Sequence, residues 1–146
     1  MVDRDRLISA LEEAPDRIAE LVSGAESEAP APEGWGRIEV FRHIRASDAI
    51  LGQRIMQILV RVDPPLPAFD DRAWGDLIAM SGISIEDQLA VFRLGRSQLI
   101  GILRSLSEAD WLKGGTHEVV GKQSIDEIVK HIADHEAEHI DQLLDL

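Results

Sequence analysis

The chain has 146 residues, enough for one domain with a single sizeable core; a domain of this length buries roughly 70% of its unfolded surface. Lys and Arg number 15 and Asp and Glu 27, a net charge of −12 that argues against non-specific binding to nucleic acid or to an anionic membrane. Hydrophobic residues make up 45%, too many for a disordered acidic chain, and the absence of cysteine excludes disulfides, thiolate metal sites and cysteine nucleophiles.

The first segment, MVDRDRLISALEEAPDR, has no apolar core of a signal peptide and no small-residue cleavage site. No apolar run approaches the ~20 residues of a membrane span, so a soluble cytoplasmic protein is expected. Leu7, Ile8, Leu11, Ile18 and Leu21 recur at helical spacing and predict a helix from about Asp3 to Val22. Pro15 is expected to interrupt it and to open a second helical piece. Residues 24–34, GAESEAPAPEG, read as a loop.

A second helix is predicted from about Trp35 to Val62, striped by Ile38, Phe41, Ile44, Leu51, Ile55, Leu59 and Val62. Pro64, Pro65 and Pro67 end it, and Asp71 to Met80 forms a short helix inside the link that follows. A third long helix opens at Ser84, with Asp87 three residues on, and carries Ile85, Leu89, Phe92, Leu99, Ile100, Leu103 and Leu106. Residues 107–123 read as an irregular connection containing His117, and no convincing strand is expected. Ser124-Ile-Asp-Glu127 is a capping box that starts the last helix.

Four long helices predict an all-α four-helix bundle in one domain, residues 1–146. The link of roughly 20 residues between the second and third long helices is long for a turn between antiparallel neighbours, and predicts a crossover with those two helices running the same way.

The last helix reads HIADHEAEHIDQLL, with His131, His135 and His139 spaced by four. Residues four apart share a helical face, and two imidazoles at that spacing can hold one metal ion. The stripe drifts about 40° per step, so His139 falls nearest the apolar face, His135 at its edge and His131 farther out. Spacing alone leaves a metal pair, His135 and His139, and a solvated acidic surface both open. His43 is the only other histidine in a predicted long helix and the natural third ligand, though it stands off its stripe by roughly 100°. His117 is expected in a solvent-exposed loop. Three imidazoles would leave positions for water or substrate, and Zn, Ni, Fe and Mn all suit such ligands.

Arg96, Asp48 and Glu136 fall in the middle of apolar stripes. Buried charges are normally paired, so Arg96 is expected against Asp48 or Glu136. Both carboxylates are also candidates for orienting a metal-bound imidazole or for accepting a proton.

In order and spacing, several short motifs resemble the DinB-like superfamily of four-helix-bundle metalloproteins. They are Trp35 with His43 and Asp48; Leu66-Pro-Ala-Phe-Asp-Asp71; Phe92 and Arg96; Asp110-Trp111 with His117 and Gly121; and His131, His135, Glu136, His139 and Gln142. The resemblance covers nearly the whole chain. It implies an up-down-down-up bundle, usually a homodimer, with a divalent metal on His43, His135 and His139. Characterised relatives look like metal-dependent transferases or isomerases that use a low-molecular-weight thiol, and many members have no assigned activity. Two functions follow as expectations. One is a metal-dependent enzyme, S-transferase or hydrolase-like, acting on a small molecule with a thiol cosubstrate. The other is a non-catalytic, stress-related bundle that binds a metal or small ligand.

Overall fold

The computed structural model describes residues 2–28 and 34–146. Six α-helices are present among them: α1 (Arg4–Val22), α2 (Arg37–Val60), α3 (Asp71–Met80), α4 (Ile85–Arg104), α5 (Glu108–Leu112) and α6 (Ile125–Leu144). A 3₁₀ turn, Ala25–Ser27, follows α1; part of the loop predicted over 24–34 lies outside the described residues. The helix starts follow side-chain chemistry. Asp3, Asp70, Ser84, Ser107 and Ser124 each accept from a backbone N–H in the first turn of the helix they precede.

The long helices α1, α2, α4 and α6 form the bundle. α1 packs on α4 and α6, and α2 packs on α6 and on the short α3. Their buried side chains divide into two apolar clusters. One holds Leu11, Leu51, Ile55, Leu99, Leu103, Ile128 and Ile132. The other holds Ile18, Phe41, Ile44, Phe92 and Leu143. Along the chain, α1 and α6 pass from the first cluster to the second, and α2 and α4 pass from the second to the first. Asp48, Arg96 and Glu136 each fall, in sequence, between the residues their helix gives to one cluster and to the other.

Pro15 does not split α1, which is continuous through it. A proline in mid-helix removes the N–H that would bond to the carbonyl four residues back, here Leu11. That carbonyl accepts instead from Arg96 Nη1 at 2.8 Å, so the orphaned acceptor is satisfied from α4.

Two further expectations are corrected. The connection over residues 107–123 is ordered, with α5 held by a Ser107/Asp110 capping box. It also contributes to a small three-stranded sheet: β1 (Pro65–Leu66) pairs in parallel with β2 (Gly114–His117), and β2 pairs antiparallel with β3 (Gly121–Ser124). Gly114 and Gly115 permit the close approach. A Cβ at Gly114 would sit 2.5 Å from the Gln123 carbonyl oxygen, and one at Gly115 2.7 Å from that of Pro64. His117 therefore lies on β2 and is half-buried, not in an exposed loop. The sheet ties the crossover link to the start of α6. No helix among the described residues is long and apolar enough to cross a membrane.

Candidate metal centre

Three imidazoles meet between α2 and α6. His135 Nε2 lies 2.9 Å from His43 Nε2 and 3.0 Å from His139 Nε2. The ligand atoms of all three lie within 4.8 Å of one another. His135 and His139 converge because a four-residue step puts them on one face of α6. His43 reaches them from the flank of α2, buried at 7% exposure beneath the Trp35 ring, 4.9 Å away.

The outer nitrogens indicate which ring atoms are free to bind. His139 Nδ1 lies 2.8 Å from Gln142 Oε1, and with that oxygen accepting, the ring proton sits on Nδ1 and leaves the Nε2 lone pair free. His43 Nδ1 lies 3.1 Å from Asp71 Oδ2, which favours the same tautomer, although the two are not aligned as a hydrogen bond. His135 Nε2 has at most one proton to offer and faces two imidazole nitrogens, so one proton cannot satisfy both contacts, whereas a divalent cation held by the three nitrogens would. Burial, with the neighbouring His139, His43 and His131 rings adding to it, drives the His135 pKa down to about 3. His43 is also lowered, by burial first and by His139 second, with Asp71 opposing. Neutral rings are the form that ligates.

His131 is exposed and lies outside the triad, its ring stacked on His135 at a centroid distance of 5.9 Å. Glu136 and Asp48 turn elsewhere. Arg96 donates from Nη1 to Glu136 Oε1 at 3.0 Å, from Nη2 to Asp48 Oδ1 at 2.6 Å, and closely from Nη2 to Glu136 Oε2. No imidazole hydrogen bond to either carboxylate is found among the described residues; Asp71 and Gln142 occupy the outer positions instead. Both could have been suspected from sequence, Gln142 because it follows His139 by three and Asp71 because it lies in the first turn of α3. Burial pushes the Glu136 carboxyl up to about 7, against the pull of Arg96. Arg96 is held charged because its two carboxylates outweigh the cost of burial.

A cavity of about 130 Å³ reaches the triad at His43 alone, which lines it with Trp35, Arg42, Asp71, Arg72 and Gly75. Arg72 lies over the Trp35 ring at 5.9 Å.

The fold and the cluster define a four-helix bundle with a candidate three-histidine metal centre between two of its helices. The DinB superfamily sequence profile matches residues 3–143, and the chain belongs to that superfamily. Among solved structures it is similar to YfiT from Bacillus subtilis, described as a probable metal-dependent hydrolase with an unusual four-helix bundle topology. The TM-score is 0.81 at 21% identity, covering 99% of this chain and 89% of that one. No curated protein matches the sequence.

Proposed function

We propose that the protein is a metal-dependent enzyme whose divalent ion, Zn, Ni, Fe or Mn, is held by His43, His135 and His139. The observation that carries the reading is the convergence of the three imidazoles, their ligand atoms all within 4.8 Å of one another. Three protein ligands leave a coordination position open, as catalytic sites do, whereas structural sites close it with a fourth. When bound, the ion would lower the pKa of a water or thiol and polarise an acyl or similar oxygen.

The chain's own residues supply the rest. Gln142 orients His139, and the Asp71 carboxylate stands beside His43 Nδ1. Arg96, paired with Glu136, fixes the turn of α6 that carries His135. Trp35, Arg42 and Arg72 wall the space in which a small substrate meets the site. Because the chain has no cysteine, a thiol would come from a low-molecular-weight cosubstrate. Thiol transfer or isomerisation follows from the family resemblance, and hydrolysis is favoured by the likeness to YfiT. The family resemblance extends the proposal to a homodimer.

The test is elemental analysis of untagged protein stripped of metal and reloaded, followed by thiol-transfer and ester-hydrolysis screens. Wild type should hold one ion per chain and turn over in at least one screen; His135→Ala should do neither. An ion retained stoichiometrically by His135→Ala would overturn the triad. An ion bound by wild type with every screen silent would favour the non-catalytic binding protein.

A further inference from the structure

A second cavity, of about 230 Å³, lies on the other side of His131, between α2, the crossover link, the sheet and α6. It contains a cation with no carboxylate. Arg54 on α2 is only 7% exposed, yet it forms no ion pair among the described residues. Its Nη2 donates to the Pro67 carbonyl oxygen, and its guanidinium stands 5.2 Å over the Phe69 ring. Glu118, next to His117, instead accepts at Oε1 from the Ala68 N–H at 2.9 Å. Burial lowers the Arg54 pKa with no acidic neighbour opposing it. Arg96, buried more deeply still, is by contrast held by two carboxylates. A buried, unneutralised charge is costly and is normally paired.

His117, Gln123 and His131 are the other polar side chains that line the same space. His117 Nδ1 accepts from the Val119 and Val120 N–H groups at 3.0 and 3.2 Å, which leaves the neutral ring's proton on Nε2 as a donor. Gln123 Oε1 is buried without a partner. The remaining wall includes Leu51, Phe69 and Ile128, which are apolar. The volume is below the roughly 300–1,000 Å³ of pockets for drug-sized ligands.

We infer that this cavity binds a small carboxylate with a short apolar body, its carboxylate on Arg54 and His117 and its body against Leu51, Phe69 and Ile128. The planar guanidinium fork matches a carboxylate, and the apolar walls exclude a bare, fully hydrated inorganic anion. His131 lines the cavity and stacks on His135, so the ligand lies beside the histidine cluster. That it is the enzyme's substrate or cosubstrate rests on the metal-dependent reading above; that it binds does not.

The experiment is calorimetric or NMR titration of butanoate and benzoate into chelator-treated protein, with the matching amides and inorganic phosphate alongside. Saturable binding of the acids is expected, with the amides weaker by roughly tenfold or more, since a charge-assisted hydrogen bond is lost. His135→Ala should bind the acids as wild type does, whereas Arg54→Gln and Arg54→Lys should weaken them by a similar or greater factor. The comparison of acid with amide on wild type needs no variant and stands even if Arg54→Gln fails to fold. Absence of saturable acid binding, amides binding as tightly as acids, or phosphate binding more tightly than either would overturn the inference. Loss of metal binding with carboxylate binding intact would overturn the proposed function alone.

Discussion

Arg96 is 2% exposed and carries its charge into the middle of the bundle, where Glu136, Asp48 and the Leu11 carbonyl receive it. Removing one partner of a buried pair typically costs 3–5 kcal/mol, so Arg96→Met should lower stability by about that amount in urea denaturation. Part of the loss belongs to Leu11, whose carbonyl is left bare because Pro15 has no N–H. Pro15→Ala supplies that donor. It should therefore be more stabilising in the Arg96→Met background than in wild type, by about 1 kcal/mol, the value of one hydrogen bond. Equal effects in both backgrounds would show that Arg96 and Pro15 are not coupled. His135 gives a second residue-scale prediction, for metal-free protein. Its folded pKa of about 3 lies below the ordinary 6.5, so the unfolded chain binds the proton first. Stability from this group is full above 6.5 and is lost as pH falls toward 3. Glu136, raised to about 7, acts in the opposite sense, favouring the folded state as pH falls through 7 toward its ordinary 4.5. The wild-type curve thus mixes the two, and the difference between wild type and His135→Ala isolates the histidine. That difference should shift by about 1–2 kcal/mol in favour of the variant between pH 7 and pH 5. A difference that does not change with pH would mean that His135 titrates normally. At this scale the sequence pointed to the buried charges and to the four-residue histidine step. It did not reveal Arg54, a lone cation whose burial depends on Pro67 and Phe69 folding back over it.

Glycines on different elements predict opposite signs. A Cβ at Gly115 would meet the Pro64 carbonyl oxygen at 2.7 Å and Leu66 Cγ at 2.9 Å, so β1 and β2 would have to part. Gly115→Ala should cost about 1–3 kcal/mol, as overpacking does. Gly101 sits exposed within α4 with nothing within 4 Å of a Cβ. Gly101→Ala should gain about 0.5–1 kcal/mol from helix propensity. Thermal melts of the two variants would read both signs, and an unchanged Gly115→Ala would mean that the strand pair can shift at no cost. The same sheet explains what the sequence concealed. Helices announce themselves locally, through Ser84 and Ser124 caps and through stripes repeating every three or four residues, and α3 begins and ends where the sequence places it. β1 is two residues next to prolines, its partner strand lies about fifty residues away, and β2 is half glycine. Strands this short show too little alternation to be read: β1 buries one side chain, Leu66, and the glycines of β2 offer none. The five-residue α5 did carry a readable signal, Ser107 followed by Asp110, but is too short for periodicity to support it.

For the molecule as a whole, the histidine cluster joins α2 to α6 across a core already divided by the Arg96 layer. One histidine of the cluster comes from the first half of the chain and two from the last helix, so the complete set exists only in the folded protein. An ion that binds the native but not the unfolded state stabilises by RT ln(1 + [M]/Kd), about 2.7 kcal/mol at a hundredfold excess over Kd. For a chain of 146 residues that corresponds to a rise in Tm of roughly 5–10 °C. The net charge of −12 contributes differently. It draws divalent cations toward the surface, an attraction that salt screens, whereas coordination by neutral imidazoles is largely insensitive to salt. The two can be separated by melting metal-loaded and EDTA-treated protein at low and high ionic strength. The shift should persist at high salt in wild type and vanish in both His43→Ala and His135→Ala. If His43→Ala kept the full shift, the stabilising ion would sit on the acidic surface or on α6 alone, and the clasp between α2 and α6 would be lost from the account.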